Sequence, residues 1–407
     1  MSEFMQSRRK LKKHNNRNNL YLVLAGFILI FAVIFGVISY NNHIAAQEQA
    51  KKFATTHFNP NVNIYGVKVG KLTINKATKK INKQANNVIV LEKGKVSTER
   101  DPNIDTINKQ QVTNFFKKQH TTMPSKQNYI FANNELDAAN KKMQTVSDTI
   151  VNYKVANKIY KLEAKKLINQ AVFKQGKYTF TNSENLVAEL NKIDRAVSTI
   201  HQKYTFAVPT RNQVSGKKIT VKNQSYGWGI YVKKAQSAVE QAFLNGTKTL
   251  DGKDYIYGLG YSTYGLGYGK TNHGIGNNYI VVSLKKQELW VVKNGKLAVH
   301  LNDIVTGTKV GNKSNVTPEG VWYIHYKQSP ATLRGRNNDG SKYASPVKYW
   351  MPFTLSGCGF HDASWRSDWS KRAYLRGGSH GCVNIKPSEV KYVWSNISKH
   401  EPVIIYN

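Results

Sequence analysis

An uncharged, mostly apolar run from Leu20 to Tyr40 sets the first constraint on this chain. At a rise of ~1.5 Å per residue, such a run in helical form crosses a hydrocarbon core ~30 Å thick. Arg8, Arg9, Lys10, Lys12, Lys13 and Arg17 precede it, whereas Asn41, Asn42 and His43 follow it. That asymmetry predicts a cytoplasmic basic tail at 1–19, a single-pass anchor at 20–40, and everything beyond outside the membrane. A cleaved signal peptide is the competing reading. Its apolar region runs ~7–15 residues and ends in a small-residue cleavage site. This run is longer and no A-x-A follows it, so an uncleaved anchor is expected.

Placement outside the membrane makes disulfides a possibility, yet the chain has only two cysteines. A disulfide framework and a Cys-rich zinc site are both excluded, and no metal or cofactor is expected. The formal charge of +36 attracts polyanions, anionic lipid and anionic wall polymers among them, although a solvated basic surface is the plainer reading. The lysines are scattered and no nucleic-acid-binding signature accompanies them, so nucleic acid is not expected.

Beyond the anchor, 41–58 reads as a polar, partly helical stalk, and 59–254 as an α+β accessory region. Val62 to Val69 alternates apolar and polar residues as a half-buried strand does. Thr73 is placed to cap a helix that buries Ala77 and Ile81. Val88 to Leu91 is a short strand. From Asp105 to Arg195 the pattern is mainly helical, broken at Pro124 and at Gly176-Lys177, with Ala164, Leu167, Ile168 and Ala171 at core spacing. Ile219-Thr220-Val221 is another strand and Tyr226-Gly227-Trp228-Gly229-Ile230 a turn. A helix follows with Ala235, Ala238, Val239, Ala242 and Phe243 on one face. Residues 255–277 repeat Tyr-Gly-Leu-Gly-Tyr and read as a linker. Gly269-Lys270-Thr271 is no phosphate-binding loop, because Tyr264 stands where the first glycine belongs.

From 278 the period changes to that of strands: Tyr279 to Leu284, Glu288 to Val292, then Asn294-Gly295 as a two-residue hairpin turn toward Lys296 to Leu301. Asp303 to Thr306 and Gly320 to His325 continue the pattern. Gln328 to Ser345 reads as a long polar binding loop. Tyr349 to Leu355 and Gly359 to His361 return to strand. Pro387 starts a helix with Val390, Val393, Trp394 and Ile397 on one face, and Val403 to Tyr406 ends the chain.

One cysteine lies in Gly377-Gly378-Ser379-His380-Gly381-Cys382-Val383-Asn384, and His361 lies 21 residues before it. A lone cysteine and histidine are ordinarily a packing thiol and an unrelated imidazole. The whole pattern is more specific. His361-Asp362-Ala363-Ser364-Trp365-Arg366, then Ser379-His380-Gly381-Cys382-Val383-Asn384, with Thr317-Pro318-Glu319-Gly320 upstream, resembles the active-site signature of the L,D-transpeptidases, the YkuD-type domain. Ile64-Tyr65-Gly66-Val67 with Leu72-Thr73, and Tyr226-Gly227-Trp228, resemble the peptidoglycan-binding domain found ahead of some transpeptidase domains. A spacer lifting the last domain off the membrane is the plainer reading of that region. The resemblance implies a mostly β, β-sandwich-like catalytic domain at 278–407 that acts on peptidoglycan stem peptides, in an extracytoplasmic protein facing the cell wall.

A thiol of pKa ~8.5 is mostly protonated at neutral pH, and a nearby imidazole can take its proton. Cys382 is therefore the expected nucleophile and His361 the expected base. The resemblance implies that Ser379 helps orient His361, through its backbone or its side chain. Turns at the neighbouring glycines would aim the Gly381 and Cys382 amides at an oxyanion, with His380 as site architecture. Asn384, Trp350, Tyr343 and Trp365 are candidate substrate contacts. Cys358 is expected to be a packing thiol; a reversible disulfide with Cys382 is the sharper alternative.

The implied reaction forms an acyl-enzyme on Cys382, with release of the terminal D-Ala of a donor tetrapeptide. An acceptor amine then completes a cross-link. If water resolves the thioester instead, the enzyme is an L,D-carboxypeptidase. Another cysteine hydrolase of wall peptides and a non-catalytic wall-binding protein are the remaining readings, and the intact cysteine and histidine argue against the last.

Overall fold

The structure, a computed structural model, describes residues 3–119, 123, 125–211, 213–310 and 313–407, with 3–18, 309–310 and 313–314 described by backbone alone. The break expected at Pro124 lies outside the described residues. The chain divides into two compact units. One comprises Met1–Val90, Val96–Met143 and Val172–Thr179; the other comprises Leu91–Lys95, Gln144–Ala171 and Phe180–Asn407.

The first unit begins with one continuous helix, Glu3–Ala54. It is long and apolar enough to cross a membrane, and its apolar stretch is exposed. The compact body behind it buries Phe58, Val62, Ile64, Val69, Ala77, Ile81 and Val112 together. Thr73 caps the helix Ile74–Gln84 by accepting the Lys76 N–H at 3.4 Å. The strand expected over 62–69 is instead a tight hairpin, Val62–Ile64 with Val67–Lys68. Tyr65 (φ 51°) and Gly66 (φ 82°) reverse the chain, the conformation a two-residue hairpin turn demands.

The region expected to be mainly helical between 105 and 195 holds the helices Lys109–Lys118, Asn134–Asp148 and Glu184–Val197, but strands occupy much of 150–182. Ile150–Val155 and Lys158–Glu163 pair antiparallel around Ala156 and Asn157, both at positive φ. Period-2 alternation in Ile-Val-Asn-Tyr-Lys-Val outweighs the helical spacing of the alanines that follow. Ala164, Ile168 and Ala171 are buried as expected, but only Ala164–Leu167 forms a helical turn. In the same unit, helix Val232–Asn245 buries Ala235, Val239, Ala242 and Phe243 and ends at Gly246 in the left-handed region.

The C-terminal part carries ten longer strands: β1 (Tyr279–Ser283), β2 (Glu288–Lys293), β3 (Lys296–Leu301), β4 (Gly320–Tyr323), β5 (Ala331–Arg336), β6 (Lys342–Val347), β7 (Trp350–Pro352), β8 (Gly359–Asp362), β9 (Val383–Ile385) and β10 (Pro402–Tyr406). A five-stranded sheet has the order β3-β2-β1-β10-β4, and a second sheet the order β7-β8-β9. Every residue of β1 and β10 is buried. A strand covered on both faces reads as a continuous apolar run rather than an alternation. Ile280, Val282, Leu289 and Ile405 face a core shared with Met351, Phe360, Val383 and Ile385 of the second sheet and with Val390 and Val393 of the helix Val390–Asn396. Tyr279, Val281, Trp290 and Ile404 face the other way, onto Phe206, Val221, Tyr226 and Ile275. Each such buried Ile or Val contributes about 1.5–3 kcal/mol, so the second sheet stands on a firm base.

Two expectations change here. Residues 255–277, read as a linker, pack closely onto β4. The Tyr323 hydroxyl donates to the Leu259 carbonyl at 2.6 Å and accepts the Ser262 N–H at 2.9 Å, and the Tyr226 hydroxyl donates to the Gly274 carbonyl at 2.6 Å. Gly260 permits this approach: at φ 77°, a Cβ there would meet the Tyr323 hydroxyl at 2.8 Å. The stretch read as a long loop, Gln328 to Ser345, is mostly a hairpin in which β5 pairs with β6. Its turn is marked by Asp339-Gly340, with Gly340 at φ 90°, a hairpin signal in the sequence.

Candidate active site

β8 lies at the centre of the second sheet. Trp350 of β7 faces His361 across an antiparallel pair, and Asn384 of β9 faces it across a parallel one. Register therefore brings His361 and Asn384, 23 positions apart in the chain, side by side. His361 is 3% exposed and Asn384 2%. Cys382 sits one residue before β9, where the chain emerges from a turn at Gly381.

The segment Asp303–Thr308 holds that turn from outside. Its part Asp303 to Thr306 is expected as a strand; the segment makes single bridges instead, Val305 to Asn384 and Gly307 to Ser379. The Ser379 N–H donates to the Thr306 carbonyl at 3.1 Å. Thr306 is pinned in turn by the buried amide of Gln287, and the Thr317 hydroxyl accepts the Gly307 N–H at 3.0 Å.

Ser379 does not act on His361 through its side chain. Its hydroxyl donates to the Cys382 carbonyl and accepts the Gly381 N–H at 3.1 Å. Among the described residues this hydroxyl closes the nucleophile's own turn, which leaves the Ser379 backbone as the route by which it would orient the imidazole. The Gly381 amide, expected to face an oxyanion, is engaged by the same hydroxyl. Gly381 itself has φ 116°, and a Cβ there would meet Cys358 Sγ at 2.8 Å. Cys358 is buried in the main core, as a packing thiol is.

His361 is held at both ring nitrogens. Nδ1 lies 2.8 Å from the Asp362 carbonyl, to which an Nδ1–H donates. The Asn384 amide finds partners in one orientation, with its NH2 3.1 Å from His361 Nε2 and its oxygen 3.2 Å from both Nε and Nη2 of Arg366. The Asp362 carboxylate accepts the Lys348 and Tyr349 N–H groups at 2.8 and 2.9 Å, fixing the end of β8 to the chain entering β7. Burial holds the imidazole below its ordinary range, and the Arg366 charge adds to that effect, although the Asp362 carbonyl and carboxylate oppose it.

The Cys382 thiol is pushed up to about 12, first by burial and then by the neighbouring Cys358 thiol; the Gly359 N–H partly offsets this. The thiol also lies 3.6 Å from the Gly357 carbonyl, to which it donates. The residue keeps some exposed surface on the cavity wall, and the protein packed around it makes desolvation the leading cause. Thiol and imidazole are thus both neutral around pH 7.

His361, Cys382, Asn384, Arg366, Tyr343 and Trp365 are among the walls of a cavity of about 190 Å³. Hairpin β5–β6 supplies one side. The Tyr343 ring stacks on His380 at 5.7 Å with an interplanar angle of 8°, which joins the hairpin to the nucleophile loop. Trp365 is 52% exposed and stacks against His361 at 5.8 Å. Trp350, expected as a substrate contact, is not a wall. It is 8% exposed and packs with Ala331 and Val347 behind the site. Sequence reasoning assigned no role to Arg366 or Gly359. The cation within the His361 motif was the available signal for Arg366; a backbone N–H aimed at sulfur leaves none.

A thiol and an imidazole converging on a polar cavity, on a sheet-rich domain, define a cysteine-dependent class of site. Residues 277–405 match the model of the YkuD L,D-transpeptidase catalytic domain, so the chain carries that domain. It is an L,D-transpeptidase, an enzyme of peptidoglycan cross-linking that acts on stem peptides. Among solved structures, the Ldtfm–avibactam carbamoyl enzyme is similar at 26% identity and a TM-score of 0.51, over 67% of this chain and 99% of that one. A cysteine-to-serine mutant of the Enterococcus faecium L,D-transpeptidase is similar at 26% identity and a TM-score of 0.50, over 65% of this chain and 98% of that one. Both likenesses extend well beyond residues 277–405. A comparison with curated proteins finds no match.

Proposed function

We propose that this chain is a membrane-anchored transpeptidase that works through a thioester on Cys382, with His361 as its base. The observation that carries the reading is the convergence of Cys382, His361 and Asn384 on one cavity wall by strand register. The helix within Glu3–Ala54 anchors the chain through residues 20–40, N-terminus inside, with 41–58 as stalk and 59–254 as the accessory region that meets or spans peptidoglycan. The exposed apolar stretch of that helix and the basic residues before it support this topology. The catalytic domain at 278–407 then faces the wall, and the surplus positive charge suits its anionic polymers.

Because thiol and imidazole are both neutral at rest, the thiol proton moves as the sulfur attacks. Cys382 Sγ bonds to the carbonyl carbon of the donor's third residue, and the proton passes to His361 Nε2, whose lone pair the Asn384 NH2 gives up. The bond to the terminal D-Ala nitrogen breaks, and that nitrogen leaves with the proton. The acceptor amine attacks the thioester, loses a proton through His361, and restores the thiol as the new amide forms. With the Gly381 amide engaged by Ser379, the Cys382 N–H is the one left for the oxyanion. Tyr343, Trp365 and Asn384 line the path of the stem peptide.

Mass spectrometry of purified muropeptides incubated with the full chain tests the reaction. Cross-linked dimers are the expected product. Tripeptide stems alone point to water as the acceptor, and cleaved bridges to an endopeptidase; either contradicts the proposal. Carbonate extraction that frees the full chain from membranes contradicts the anchor.

A further inference from the structure

The Asn384 amide is two-faced: its oxygen only accepts and its NH2 only donates. Two N–H groups of Arg366, Nε and Nη2, converge on it at 3.2 Å each. They select the oxygen. The NH2 is then the only end that can meet His361 Nε2, at 3.1 Å. An NH2 donor requires a lone pair on Nε2, so the ring proton must sit on Nδ1, where the Asp362 carbonyl accepts it. The guanidinium and the Asp362 carbonyl thus set the same tautomer from the two sides of the ring, one through Nε2 and the other through Nδ1.

We propose that Arg366 is a positioning residue for His361, acting through the polarity it imposes on the Asn384 amide. This rests on the reading of His361 as the base and deepens it. Arg366 is itself fixed. Its N–H donates to the Ala363 carbonyl at 3.2 Å, and its carbonyl accepts the Trp369 indole N–H at 3.1 Å. Asp368, whose charge acts on it, pairs with Arg376 at 3.2 Å. The groups facing His361 are Asp362, Arg366 and the Asn384 amide, with the Trp350 and Trp365 rings beside it. Without the guanidinium, the amide is free to turn its oxygen toward Nε2, which favours an Nε2–H or an imidazolium. A lysine can supply one donor but not a planar pair, so it restores the arrangement only in part.

The test uses the full chain in detergent micelles with 13Cε1-labelled histidine, the His361 signal being assigned by its loss in His361→Gln. In Arg366→Met the His361 titration moves to higher pH. The rate kcat for dimer formation falls on the order of 10²-fold, as misplacement of a reacting group does, while KM stays within about threefold. Arg366→Lys recovers part of kcat. Asn384→Asp moves the titration up with Arg366 still present. The other histidine signals report whether each variant folds. An unmoved His361 titration in Arg366→Met, or a change in KM alone, overturns the proposal; the latter would make Arg366 a substrate-binding group. Undiminished dimer formation by Cys382→Ala would instead overturn the catalytic reading itself, so the two failures are distinguishable.

Discussion

The hydroxyl of Ser379 donates to the carbonyl of Cys382, closing the nucleophile's turn from within. It accepts the Gly381 N–H as well, so one side chain replaces two backbone contacts. The consequence for Ser379→Ala follows from where those bonds go. Loss of two hydrogen bonds costs about 1–2 kcal/mol of stability, and carbapenem acylation of Cys382 slows by about tenfold as the turn loosens. The His361 titration, followed by NMR, stays in place. A shifted titration with an unchanged acylation rate would return the Ser379 side chain to the role of orienting the imidazole.

Gly381 and Cys358 form a second coupled pair. Gly381→Ala places a methyl 2.8 Å from Cys358 Sγ at a φ of 116°. The backbone strain alone is about 1–3 kcal/mol, and the close contact adds to it. Thermal unfolding is expected at a lower temperature and Cys382 acylation to slow strongly. Adding Cys358→Ala removes the contact but not the strain, so the double variant recovers only part of the stability. Full recovery would show that φ at this position matters little.

The C-terminal domain was largely legible because its signals are local. Asn294-Gly295 makes the expected turn, at φ 51° and 74°, and the run from Tyr279 reads directly as a strand buried on both faces. Cys382 and His361 were legible as a spaced motif. What escaped was set by pairing between distant segments. Nothing in Ser379 itself says that its hydroxyl turns toward Cys382, nor in Trp350 that it packs behind the site. The hairpin β5–β6 was hidden by polar residues, since it lines a cavity rather than a core. The strands at 150–182 were hidden by helix-forming alanines and lysines whose tertiary partners decide their state.

His325 makes stability depend on pH. It is 1% exposed, with the rings of Tyr261 and Tyr323 each 4.7 Å away. Among the described residues neither ring nitrogen has a hydrogen-bond partner. Burial, with the nearby His400 adding, drives it down to about 4. The unfolded chain binds this proton from ~6.5 downward, while the folded chain resists it to about 4. Its contribution is therefore complete above ~6.5 and is lost as pH falls toward the folded value, by about 3 kcal/mol. Urea unfolding of the full chain in micelles at pH 7 and pH 4.5 measures this loss, and His325→Phe is expected to shrink it. Equal losses in parent and variant would contradict the assignment.

The central claim is that chemistry passes through sulfur on Cys382. Peptide mapping by mass spectrometry after brief incubation of the full chain with a tetrapeptide stem tests it most directly. The account predicts a tripeptidyl thioester on the peptide containing Cys382, release of D-Ala, and neither adduct nor dimers from Cys382→Ala. Dimers formed undiminished by Cys382→Ala, or an adduct on any other residue, would contradict it.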